Sequence, residues 1–261
     1  MSIVKSYSFP EGDIRGDMYY IKHGTNNFTV IDCYLKDGNG RNARKDEIIC
    51  EINKESAGRI CRFISTHPDN DHIAGIEHLD NNWEITNFYA VENNRPADDS
   101  DDSLTRYNWL LNNKNYAIHR GIKRAWLNDS NNDNGSSGIN FQWPDLNNEK
   151  FKQVLKLVSE GKDVNNICPI FTYSIENGAT YMWMGDLETD MQQAYYDEYY
   201  ADIPTIAMYD KYAVKICEIR SGSFTFHTQI AITQVVIRGC LQLVGSHTEE
   251  PTTHHDQPTN Q

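Results

Sequence analysis

Two histidines and two aspartates fall within six residues, in His67-Pro68-Asp69-Asn70-Asp71-His72. In an extended loop the side chains of residues 67, 69 and 71 point the same way, because successive side chains alternate. His72 opens the following helix and turns toward the same point. Imidazole and carboxylate donors together suit zinc, manganese or iron. A bound cation also removes the repulsion between clustered acids. The plainer alternative is a polar helix-capping loop with Asp71 as its N-cap. The flanks favour the metal: an apolar stretch precedes the loop, and Ile73-Ala74-Gly75-Ile76 follows it.

The elements that must position this loop are legible around it. Ile60 to Ser65 is a short β-prone run, and His72 to Leu79 carries apolar residues at 73, 76 and 79, which predicts a helix. Strand, polar loop and helix follow in the order in which α/β proteins place their chemistry. Upstream, Ile3–Phe9, Met18–Lys22 and Phe28–Cys33 read as strands, and 44–57 reads as a helix closed by Gly58. Downstream, 92–104 and 127–138 read as loops, Ile139–Trp143 as a strand and 148–160 as a helix. Pro169–Ser174 and Thr180–Met184 pair around the turn Glu176-Asn177-Gly178, and a helix runs from beyond Asp186 to about Tyr200.

The chain has 261 residues and a formal charge of −13. That length buries a sizeable core. A field of that sign disfavours broad binding to long nucleic acids, although metal ions invert the potential locally. The six cysteines form no C-x-x-C pair and read as reduced, mostly buried thiols. No apolar run is long enough to span a bilayer and residues 1–13 carry no apolar leader, so a cytoplasmic protein with no membrane partner is expected. His23 and His78 read as surface residues. His119, Arg120, Lys123 and Arg124 form the local basic cluster, read as a solvated helix face or a phosphate-contacting patch.

Thr66 to His72 resembles the H-x-H-x-D-H signature of the metallo-β-lactamase superfamily, with Asp69 where the second histidine usually stands. The H-P-D-x-D-H form is similar to the hydrolase domain of ComEC-type competence proteins and their soluble relatives. Arg15-Gly16-Asp17, the strand-ending Asp32, Asn165-Asn166-Ile167-Cys168 and Met184-Gly185-Asp186-Leu187-Glu188 resemble further segments of that group. The resemblance covers about residues 5 to 205.

The resemblance implies an αββα sandwich in the α/β class, with metals at one edge. It implies a hydrolase domain over 1–205, an atypical segment of the same domain over 206–245 and a disordered tail over 246–261. His67 and Asp69 would serve one metal, Asp71 and His72 a second, and Asp186 would bridge them. Asp71 and Asp186 would be the catalytic carboxylates, around a metal-bound hydroxide. Asp32, Asn166 and His227 would hold supporting or substrate positions. The cofactors would be two divalent ions, zinc or manganese, or one ion only. Asp69 in place of histidine favours harder ions such as manganese.

Two readings of function compete with the leading one. The leading reading is a hydrolase acting on a phosphodiester, a nucleotide or a nucleic-acid end. An acyl or lactam hydrolase would use the same centre. A degenerate binding or regulatory module is the third reading, because relatives carry a further histidine where Ile206 to Ala213 has none. Residues 206–261 therefore read as a divergent ending, a truncation or a changed reading frame.

Overall fold

The computed structural model describes residues 1–7, 16–35, 41–129, 133–175, 179–203 and 208–209. Two sheets form the centre. The first has the order β1(Ile3–Tyr7), β2(Met18–Lys22), β3(Asn27–Ile31), β4(Ile60–Ile64) and β5(Phe88–Tyr89). Its first three strands are antiparallel, and β3, β4 and β5 run parallel. The second sheet has the order β6(Ile139–Trp143), β7(Ile170–Ser174), β8(Thr180–Trp183) and β9(Met208–Tyr209). There β6, β7 and β8 are antiparallel and β9 lies parallel to β8.

Period-two alternation decides the layers. Phe28, Val30 and Phe63 turn to the outer face of the first sheet and pack with the helices there. Those helices are α1(Arg41–Ser56), through Ile48, Ile49 and Ile52, α3(Ile76–Asn82), through Ile76 and Leu79, and α4(Asp102–Asn113), through Leu104, Tyr107 and Leu110. The neighbouring residues Ile31 and Ile64 turn inward and join Phe141, Phe171 and Trp183 of the second sheet. On its far side the second sheet is covered by α5(Glu149–Ser159) and α6(Thr189–Tyr199), through Phe151, Val154, Met191 and Tyr195. The fold is therefore an αββα sandwich, as expected.

Local signals account for much of this. Asn148 caps α5, its side chain accepting from the Phe151 amide at 3.0 Å. Gly58, with φ +72°, follows α1 in the left-handed conformation of a helix stop.

Four expectations need correction. The helix expected over 72–79 is two, α2(Asn70–Ile73) and α3, broken at Gly75 with φ +79°. The break arises because the chain at 33–35 lies alongside: Cys33 and Leu35 donate to the carbonyls of His72 and Ala74 at 2.8 and 2.7 Å. The loop expected over 92–104 ends earlier. Asp101 caps α4, accepting from the Leu104 amide, and the apolar stripe Leu104, Tyr107, Leu110 is masked in the sequence by the acids before it. The basic segment 119–124 is not helical, and its arginines are engaged elsewhere. Arg120 pairs with Asp202 at 2.7 Å, and the Arg124 guanidinium lies 3.4 Å from the Tyr116 ring centre.

The fourth correction concerns His23, which is buried, not superficial. Its Nε2 lies 2.8 Å from the Thr29 hydroxyl, and its ring packs edge-on against Tyr173. Burial, reinforced by the Arg62 charge, pushes its pKa down to about 3.

Cys33 and Cys168 are buried, Cys61 is partly buried and Cys50 is exposed. Among the described residues no helix is long and apolar enough to cross a membrane. Of the segment 206–245 only Met208 and Tyr209 are described. The remainder of it, with His227 and the tail 246–261, lies outside the described residues.

Candidate metal centre

The parallel pairing of β3 with β4 brings the ends of both strands to one edge of the sandwich. Asp32 follows β3 in a left-handed conformation, φ +57°, and donates its amide to the Ile64 carbonyl at 2.9 Å. That conformation is tolerated better by aspartate than by β-branched residues. It turns the Asp32 carboxylate under Thr66. Oδ1 accepts from the Thr66 amide at 2.7 Å, and Oδ2 accepts from the Thr66 hydroxyl at 2.7 Å. Oδ2 also accepts from Nδ1 of His72 at 2.8 Å.

These contacts set both imidazoles. In its neutral form, with Nδ1 donating to a carboxylate, His72 offers at Nε2 the lone pair a metal requires. The Thr66 hydroxyl has one hydrogen, already directed to Asp32. It therefore accepts from Nδ1 of His67, 3.1 Å away, which leaves Nε2 of His67 as the free-electron-pair nitrogen too. Sγ of Cys168 lies 3.3 Å from the same Nδ1. The two rings stand 4.2 Å apart between centres.

Asp186 arrives from the turn after β8. Gly185 precedes it with φ +55°, and a Cβ there would lie 2.9 Å from Sγ of Cys168 and 3.1 Å from Cβ of Thr66. Only glycine admits so close an approach in that conformation. Asn166 fastens the same turn, donating to the Glu188 carboxylate at 3.1 Å and accepting from its amide at 3.2 Å. Asn166 thus acts on the loop that carries Asp186.

His67, His72 and Asp186 each offer one ligand atom, and these atoms lie within 4.8 Å of one another. His67 and His72 are buried, whereas the Asp186 side chain is 14% exposed. Nε2 of His72, which is buried and has no hydrogen-bond partner among the described residues, lies 3.4 Å from Oδ1 of Asp186. Two ligands at the usual distance of about 2.1 Å from a tetrahedral zinc ion stand about 3.4 Å apart. The spacing and donor set therefore fit a divalent cation. The electrostatics agree. Burial alone lowers the His72 pKa, but the carboxylates of Asp32 and Asp186 outweigh it and hold the imidazolium form well above its ordinary range. A field that retains a proton so strongly also attracts a metal ion.

Asp71 and Asp69 flank this trio. Asp71 lies inside α2, not in an extended loop or at its cap, and its carboxylate is 3.7 Å from Nε2 of His72. Asp69 holds the cap position, but its side chain makes no capping bond. Instead Oδ1 of Asp69 accepts from Arg95 at 3.0 Å, while Oδ2 lies 3.8 Å from Nε2 of His67. Sequence reasoning missed Arg95, whose only local signal is being the one basic residue in an acidic stretch. It also missed the hydrogen-bonding role of Thr66.

No family model and no curated protein matches the sequence. Among solved structures, the chain is similar to the metallo-beta-lactamase IND-7, at 8% identity and a TM-score of 0.43, covering 94% of this chain and 93% of that one. It is also similar to BJP-1, a subclass B3 metallo-beta-lactamase of Bradyrhizobium japonicum, at 11% identity and a TM-score of 0.41. That likeness covers 88% of this chain and 84% of the other.

Proposed function

We propose that this chain is a metal-dependent hydrolase acting on a phosphodiester or nucleotide. The observation that carries the metal centre is the convergence of His67, His72 and Asp186, with both imidazoles turned by Asp32 and Thr66 to present Nε2. A divalent ion bound there supplies a Lewis acid and lowers the pKa of water.

The chain's own residues divide the remaining work. Asp32 orients, because it is buried and wholly engaged with Thr66 and His72. Asp71 is about one-third exposed, so its carboxylate can take a proton from an attacking water. An open cleft of about 530 Å³ adjoins Asp186 and is lined by Asn165, Glu188, Asp190 and Gln192. Its acids repel an anionic substrate on that side. Arg95, beside the 67–72 loop, offers the opposite charge, and the phosphodiester reading rests on it and on the ComEC-type motif.

The test uses the purified full chain with added manganese or zinc. Bis-p-nitrophenyl phosphate, oligonucleotides and nitrocefin are assayed for the native protein and for His72→Ala. Phosphodiester turnover that falls at least 100-fold in the variant is the expected result. Absence of both bound metal and variant-sensitive turnover would sink the hydrolase reading. Turnover of nitrocefin alone would sink the choice of substrate and favour an acyl or lactam hydrolase.

A further inference from the structure

We propose that Arg95 takes the place of a second cation at Asp69, so that the centre holds one divalent ion; this rests on the metal centre described above. In the motif Asp69 would serve, with His67, one of two ions. Its carboxylate lies outside the trio of converging donors and is bound by the Arg95 guanidinium at 3.0 Å. The same Nη1 also donates to the Pro68 carbonyl, which fixes the guanidinium against the backbone of the metal loop.

Arg95 is held there by its own segment. Its amide donates to Oδ1 of Asn93 at 3.2 Å. Asn93 in turn donates to the Val91 carbonyl at 2.9 Å and to the hydroxyl of Tyr107 in α4 at 3.0 Å. Tyr107 is 1% exposed, so the segment is anchored in the packed outer layer. The Arg95 side chain is itself only 24% exposed. It is a placed cation, not a solvated one.

A guanidinium is a planar, delocalised cation that carboxylates bind in fixed geometry. A divalent ion on the same carboxylate would sit within a few ångströms of it, where like charges repel strongly in a partly buried site. The other oxygen of Asp69 faces Nε2 of His67, so the carboxylate joins the guanidinium to the edge of the metal trio. Among the described residues Nε and Nη2 of Arg95 make no hydrogen bond, which leaves them for an anionic oxygen of the substrate.

The experiment counts ions. The full chain, stripped and then equilibrated with zinc or manganese, is analysed for metal per chain, with the double variant His67→Ala, His72→Ala as background for adventitious sites. One ion per chain is expected for the native protein and two for Arg95→Gln, which removes the charge but keeps a donor for Pro68. Adding Asp69→Asn to Arg95→Gln should return the count to one. Should Arg95→Gln not melt cooperatively, Arg95→Met is counted instead. Two ions in the native protein, or one in a folded charge-neutral variant, overturn the proposal and leave the metal centre standing. No ion above background in the native protein overturns both.

Discussion

The Asp32 carboxylate lies 2.8 Å from Nδ1 of His72, and both groups are buried. Among the described residues every hydrogen-bond partner of this carboxylate is a donor: the Thr66 amide, the Thr66 hydroxyl and the imidazole N–H. Asp32→Asn puts an amide NH₂ against one of them. Metal affinity should fall about 10- to 100-fold, the range for losing such an orienting partner. Competition with a chromogenic chelator measures it, and an unchanged affinity would refute the orienting role. Asp32→Ala should also cost about 3–5 kcal/mol of stability, since it leaves the imidazole unpaired.

Removing the metal should abolish hydrolysis reversibly. Dialysis against EDTA is expected to eliminate turnover, and zinc or manganese to restore it, in the native protein but not in Asp186→Ala. Activity that survives the chelator would exclude the proposed chemistry.

Gly185→Ala tests the close approach at the Asp186 turn. The added methyl meets Cys168 and Thr66 at 2.9 and 3.1 Å, in a backbone conformation that L side chains rarely adopt. A loss of about 1–3 kcal/mol is expected from strain and overpacking. Urea denaturation reads the stability, and a fall in metal affinity should accompany it because Asp186 is displaced. A variant as stable as the native protein would contradict the geometry.

His23 gives a pH dependence unconnected with the metal. Its folded pKa is pushed down to about 3, from an ordinary 6.5. Below pH 6.5 the unfolded chain takes up a proton that the folded chain refuses. Stability therefore falls as pH drops through 6.5, by about 1.4 kcal/mol per unit from this group, and the loss levels off near pH 3. Urea midpoints from pH 7 to 4 for the native protein and His23→Gln would show a shallower slope in the variant. Parallel slopes would mean that His23 titrates normally.

The sequence determined what depends on neighbours along the chain. The β4 run, the acid- and histidine-rich loop after it, the β7–β8 strands and the helix from about residue 148 are visible because alternation, turn residues and helical periodicity act within a few residues. For the same reason α4 was hidden: its stripe is local, but the acids before it carry a stronger loop signal. Tertiary structure fixed the distances at which the donors meet. Asp69 and Asp71 look equivalent to His67 and His72 in the motif. The end of β3 supplies Asp32 to His72, the turn after β8 supplies Asp186, and the segment after β5 supplies Arg95 to Asp69. A side chain's choice among partners many residues away is a matter of ångströms, set by strand register and loop path, and motif spacing carries no information about it.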